Sequence, residues 1–153
     1  MPRISLVPFQ PAHAKALRLR PRASAALRGL PPLPELAAAY AAAGPVWSLL
    51  GGETPLACGG AVRFWPGVGE LWCWAGQEAD ADPVALARCA RRLVDALARE
   101  HGFHRLQAHV READTRAQAF AAFLGLRYEG RCQVYGADQS THLLYGRFYG
   151  WKA

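Results

Sequence analysis

The sequence predicts an α/β domain spanning residues 1–153, with a mixed sheet of six to seven strands and helices on both faces. Three observations support this. The segment from Gly69 to Leu126 alternates strand, helix, strand and helix. An antiparallel meander of three strands, Val46 to Leu50, Leu56 to Trp65 and the Glu70 strand, leads into it, and a hairpin follows it. Two strands joined through a helix of this length form a parallel pair with a right-handed crossover, so parallel and antiparallel pairings share one sheet.

Ile4 to Phe9 is the first strand candidate, bounded by Pro8 and Pro11. Ala12 to Leu19 reads as a short helix that Pro21 stops, because proline lacks the amide the next turn needs. Pro21 to Pro34, rich in proline and arginine, reads as a loop with room for one turn of helix. Glu35 to Ala43 is alanine-rich and ends at Gly44-Pro45. Val46 to Leu50 and Leu56 to Trp65 form two strands joined through Gly51-Gly52-Glu53-Thr54, and Pro66-Gly67 turns the chain into the aromatic strand Glu70 to Ala75. Asp82 is a good N-cap, and Pro83 suits the first helical position, where its missing N–H is not needed. Leu86, Ala90, Leu93 and Leu97 then recur at helical spacing, while Arg88, Arg91, Arg92, Asp95 and Arg99 take the other faces. Gly102 stands where a helix ends in a left-handed residue. Arg105 to Val110 alternates as a strand with one buried face, and Asp114 caps a last helix ending in Phe123-Leu124-Gly125-Leu126. Tyr128 to Tyr135 and Thr141 to Tyr149 are strands joined by the polar turn Gly136 to Ser140.

Composition narrows the function classes. Apolar residues make up 52% of the 153, enough to bury a core and too many for a disordered chain. No apolar run approaches the roughly 18–20 residues of a membrane span, and the N-terminus lacks the apolar stretch of a signal peptide. A cytoplasmic protein with no membrane partner is expected. The net charge of +6 comes from arginine, with Lys15 and Lys152 the only lysines. It would favour anionic partners such as a phosphorylated cofactor, or it reflects arginine used where other chains use lysine. No dense basic block interleaved with aromatics appears, which argues against nucleic acid. Cys58, Cys73, Cys89 and Cys132 are scattered singly, as are the five histidines, so no metal-ligand spacing is visible.

The element order resembles that of the GNAT N-acyltransferases over nearly the whole chain. The most specific local likeness is Asp114-Thr115-Arg116-Ala117-Gln118-Ala119-Phe120-Ala121-Ala122-Phe123-Leu124-Gly125-Leu126, similar to the family segment that an Asn or Asp opens and Leu-Gly-Phe closes. The tail Arg127-Tyr128-Glu129-Gly130 and its hairpin are similar to the family's C-terminal strands. Within the family, Gly125 to Tyr145 resembles the divergent GNAT-like proteins of tailed phages, of the internal virion protein A type.

The resemblance implies that the Glu70 and Arg105 strands diverge at their C-terminal ends and leave a cleft for acetyl-CoA, with no metal. It implies a cofactor surface made by Trp74, Ala75, Gly76, Val84 and Ala85. The pyrophosphate would lie near Gly76 to Val84, because free amides and the dipole of a helix start attract anions. Glu70 would be the base that deprotonates an amine acceptor, or else a solvated strand-end residue. His109, expected to face away from Leu106, Ala108 and Val110, would be an auxiliary base and acceptor contact, or else a packed histidine. Trp72 and Trp74 share one strand face and would line an apolar acceptor pocket, or both are core.

Two departures from the family pattern accompany these expectations. The phosphate loop, usually R-x-x-G-x-G/A, here reads Gly76-Gln77-Glu78-Ala79-Asp80-Ala81-Asp82-Pro83, without inner glycines and with three carboxylates where phosphate would sit. The tyrosine that often protonates the departing thiolate is replaced by Ala121, leaving that proton to water. The resemblance therefore supports two functions. One is acyl transfer from acyl-CoA to a small-molecule or peptide amine. The other is a non-catalytic role in virion assembly with phage structural proteins, in which Lys15 to Arg28 contacts an acidic partner and the virion is the location.

Overall fold

The computed structural model describes residues 3–150. Strands β1 (Ile4–Pro8), β2 (Val46–Gly51), β3 (Thr54–Trp65), β4 (Val68–Ala75), β5 (Arg105–Arg111), β6 (Arg127–Cys132) and β7 (His142–Phe148) form one sheet in the order β1-β2-β3-β4-β5-β7-β6. Every pairing is antiparallel except β4 with β5. The helices are α1 (Pro11–Ala16), α2 (Pro21–Ala26), α3 (Leu33–Ala43), α4 (Pro83–His101) and α5 (Thr115–Phe123), with a 3-10 turn at Gln77–Ala81.

The caps form as the local sequence dictates. Asp82 accepts from Ala85 N–H at 3.1 Å and opens α4; Asp114 accepts from Ala117 N–H at 3.0 Å and opens α5. Gly102 (φ 68°) and Gly125 (φ 87°) end these helices in the left-handed region, which a residue with a side chain rarely adopts.

The sheet carries two apolar layers. On one face, Leu86, Ala90, Val94 and Leu97 of α4 and Ala121 of α5 pack with Leu49, Ala57, Ala61 and Leu106. On the other, Ala14 and Leu17 pack with Leu36 and Ala37 of α3 against Cys58 and Trp74. The segment Pro21 to Pro34, expected as a loop, contains the six-residue helix α2, whose proline sits at the helix start without a competing donor. The strand expected to reach Tyr135 ends at Cys132: Val134 takes φ 52°, which no strand accommodates.

Candidate active site at the split between two parallel strands

β4 and β5 pair over only three positions: Val68 with Arg105, Gly69 with Leu106 and Glu70 with Gln107. Beyond Glu70 the strands part, because β5 continues beside β7 through Arg111 while β4 stays with β3 through Ala75. The register fixes what the split exposes. Gly76 N–H donates to Leu56 C=O at 2.9 Å, so by antiparallel alternation Trp72 and Trp74 turn their main chain to β3, while Cys73 and Ala75 turn theirs to the cleft. Two lobes, of about 390 Å³ and about 580 Å³, open at the split and share Cys73, Asp114, Ala117 and Phe120 in their linings.

The larger lobe lies on the α4–α5 side and is lined by Cys73, Ala75, Pro83, Leu86, Ala117 and Phe120, with Arg20, Arg22 and Arg116 at its edge. Solvent reaches Cys73 through the cleft, yet the protein crowded around the thiol pushes its pKa up to about 12, so it stays protonated. The smaller lobe contains Glu70 and His109, which the fold brings into direct contact through Glu70 Oε1 and His109 Nδ1. His109 faces away from Leu106, Ala108 and Val110, which pack into the α4–α5 layer. The Tyr135 ring stacks on His109, with centroids 4.2 Å apart and planes 14° apart. Trp72 and Trp74 lie 4.6 Å apart and both meet Tyr40, at 5.2 and 5.6 Å. Burial and the Glu70 carboxylate raise the pKa values of Tyr40 and Tyr135, keeping both phenols neutral.

Of the residues expected to hold the cofactor, Ala75 ends β4, Gly76 follows it and opens the 3-10 turn, and Val84 and Ala85 form the first turn of α4, with Val84 exposed. Trp74 instead sends its indole into the α1–α3 layer. The amides of Gly76, Gln77 and Ala79 are already bonded within the chain, to Leu56, Arg18 and Gly76 carbonyls.

The structure corrects the expectation that Glu78, Asp80 and Asp82 simply present three opposed charges to a phosphate. Glu78 is paired with Arg18, and Asp80 with Arg20 and Arg116. These arginines hold both carboxyls below the usual range. Only Asp82 serves as a cap. Arg18 and Arg20 thus find acidic partners inside their own chain, across 60 residues. Among the described residues, no group of three or more His, Cys, Asp and Glu side chains converges as a metal site would.

Sequence reading missed Tyr40, Tyr135, Arg111 and the arginine set. Arg111 continues the His109 alternation and could have been found that way. Tyr135 sits in a loop and gives no periodic signal.

This is the fold of the GNAT acetyltransferases, with the parallel strand pair splayed around a cleft. Solved structures like it include Ard1 from Thermoplasma volcanium (TM-score 0.76, 15% identity, 95% of this chain and 97% of that one). The yncA protein of Salmonella typhimurium, solved with its cofactor acetyl-CoA, is similar at TM-score 0.74 and 13% identity, over 99% and 96% of the two chains. A ribosomal-protein-S5-alanine acetyltransferase from Vibrio fischeri is similar at 0.72 and 15%, over 98% and 96%. By sequence, the chain matches no protein-family model and no curated protein. No helix among the described residues is long and apolar enough to cross a membrane.

Proposed function

We propose that this protein is an N-acyltransferase that moves an acyl group from acyl-CoA to an amine. The observation behind this reading is the joined Glu70–His109 pair at the point where β4 and β5 part. An amine must be neutral to attack a carbonyl, and a carboxylate backed by an imidazole is suited to take its proton. Acyl-CoA supplies the activated thioester.

The residues present fit that group. Cys73 and Ala75 offer an open main-chain edge to an extended, amide-bearing arm, as in strand addition. Arg22 offers positive charge beside the start of α4 for its phosphates, and Arg20 and Arg116 add to it although Asp80 shares both. Glu70 accepts the amine proton, His109 holds the carboxylate in place, and Tyr135 packs the imidazole. The acceptor enters on the Trp72, Trp74 and His109 side. With Ala121 in place of a tyrosine, water returns a proton to the departing sulfur.

Calorimetric titration with acetyl-CoA tests this reading. Binding in the micromolar range is expected, and no binding at millimolar ligand would rule the mechanism out. The second reading is a virion-assembly or interaction protein of the tailed-phage type that keeps the fold without catalysis. It is favoured by the loop amides of Gly76, Gln77 and Ala79 being satisfied internally. A stable stoichiometric protein partner without acyl-CoA binding would support it.

A further inference from the structure

Three buried polar atoms on the α1–α3 side of the cleft have no hydrogen-bond partner among the described residues: Glu70 Oε2, Trp72 Nε1 and Arg111 Nη1. All three side chains line the same lobe. Buried polar groups are normally satisfied, so three orphans in one cavity call for an explanation. Their chemistry differs, since the carboxylate oxygen accepts while the guanidinium and indole N–H groups donate.

Both charged side chains are anchored by their other atoms. Glu70 Oε1 is held by His109, and Arg111 Nη2 meets Asp138 Oδ2 at 2.8 Å. Hydrogen bonds from Ser140 and the nearby Arg111 charge hold Asp138 at a pKa of about 2, so this anchor stays ionised. His109 and Arg111 are two residues apart on one strand and project from the same face, about 6–7 Å apart along it. With Glu70 joined to His109, an open acceptor and the open Arg111 donor thus face one lobe, and a ligand carrying both an ammonium and a carboxylate answers both. Tyr40, Trp72 and Trp74 form an aromatic wall beside them, whose faces also favour an ammonium.

We infer that the acceptor is a zwitterionic amine: an amino acid with a free carboxylate and an apolar or aromatic side chain. Its amine meets Glu70, its carboxylate meets Arg111 with the Trp72 indole as a second donor, and its side chain lies on the Tyr40–Trp74 wall. The fate of the amine rests on the acyltransferase reading; the binding does not. Acylation forms the N–C bond and breaks the thioester C–S bond. Of the two protons the ammonium sheds, one leaves through Glu70 and the other ends on sulfur.

The test titrates the full chain, without acyl-CoA, with phenylalanine, leucine, methionine and tryptophan and with the decarboxylated amine of each. At least one amino acid should bind tenfold or more tightly than its amine. Arg111→Gln should bring that pair within about twofold while leaving amine binding unchanged. Equal binding of amino acid and amine, no binding of any amino acid, or a preference that survives Arg111→Gln would overturn the inference. The wild-type comparison decides alone if the variant does not fold. The same pairs are then assayed for acetyl transfer. Selective binding without transfer would remove the acyltransferase reading and leave the zwitterion site; transfer to both members alike would do the reverse.

Discussion

Asp82→Ala should lower stability and strengthen acyl-CoA binding together, a combination that follows from the geometry at the start of α4. Asp82 accepts the Ala85 N–H at 3.1 Å, and its loss leaves one helix-start donor without a side-chain partner. Such caps contribute about 1 kcal/mol, which for a chain of this size corresponds to a fall of about 2–4 °C in Tm. The same change removes a negative charge and frees an amide where the phosphates are proposed to lie. For a phosphate charge about 5–7 Å away at an effective dielectric constant of about 40–80, the relief is about 0.6–1.7 kcal/mol. The Kd for acetyl-CoA should therefore fall roughly 3–17-fold. Differential scanning fluorimetry and isothermal titration calorimetry on one preparation measure both. A lower Tm with unchanged or weaker binding would show that the phosphates do not lie at the start of α4, and the proposed cofactor path would be wrong.

The double change Glu78→Gly and Asp80→Gly should also strengthen acetyl-CoA binding, by releasing Arg18, Arg20 and Arg116 from their acidic partners, with little change in Tm because each pair is at least partly open to solvent. Weaker binding in that titration would mean that the acids position the arginines for the anion. Glu70→Gln should reduce acyl transfer about 10²–10⁴-fold, read as the rate of thiol release, with binding of acetyl-CoA retained. Unchanged turnover would remove Glu70 as the base. Burial and the Asp95 carboxylate, which accepts from the Tyr149 hydroxyl at 3.2 Å, push the Tyr149 pKa up to about 12, although nearby Arg147 opposes the shift. The folded state therefore holds this proton more tightly than the unfolded chain. The contribution is complete below about pH 10 and is lost as pH rises toward 12. Allowing for solvent screening of a half-exposed ring, about 1–2 kcal/mol of stability should disappear over that window in urea titrations. Tyr149→Phe should remove most of the slope.

The elements were legible wherever the cause was local. Asp82-Pro83 and Gly102 bracket α4, Asp114 and Gly125 bracket α5, and alternation along Arg105 to Val110 put His109 opposite Leu106, Ala108 and Val110. Caps, left-handed turns and side-chain periodicity depend on neighbours a few residues away, so the sequence by itself determined them. It also led to the order of elements that brings Glu70 and His109 onto adjacent strands. What it could not determine was which charges neutralise one another. Glu78 and Asp80 look unopposed in their own segment, and only the tertiary structure lays Arg18 and Arg20 across them from 60 residues away, with Arg116 arriving from α5. Tyr40 and Tyr135 reach the site from a helix face and a loop, with no pattern in their own segments pointing there. Such long-range partners are set by where separate elements land when the two apolar layers close on the sheet, and that depends on the whole chain at once.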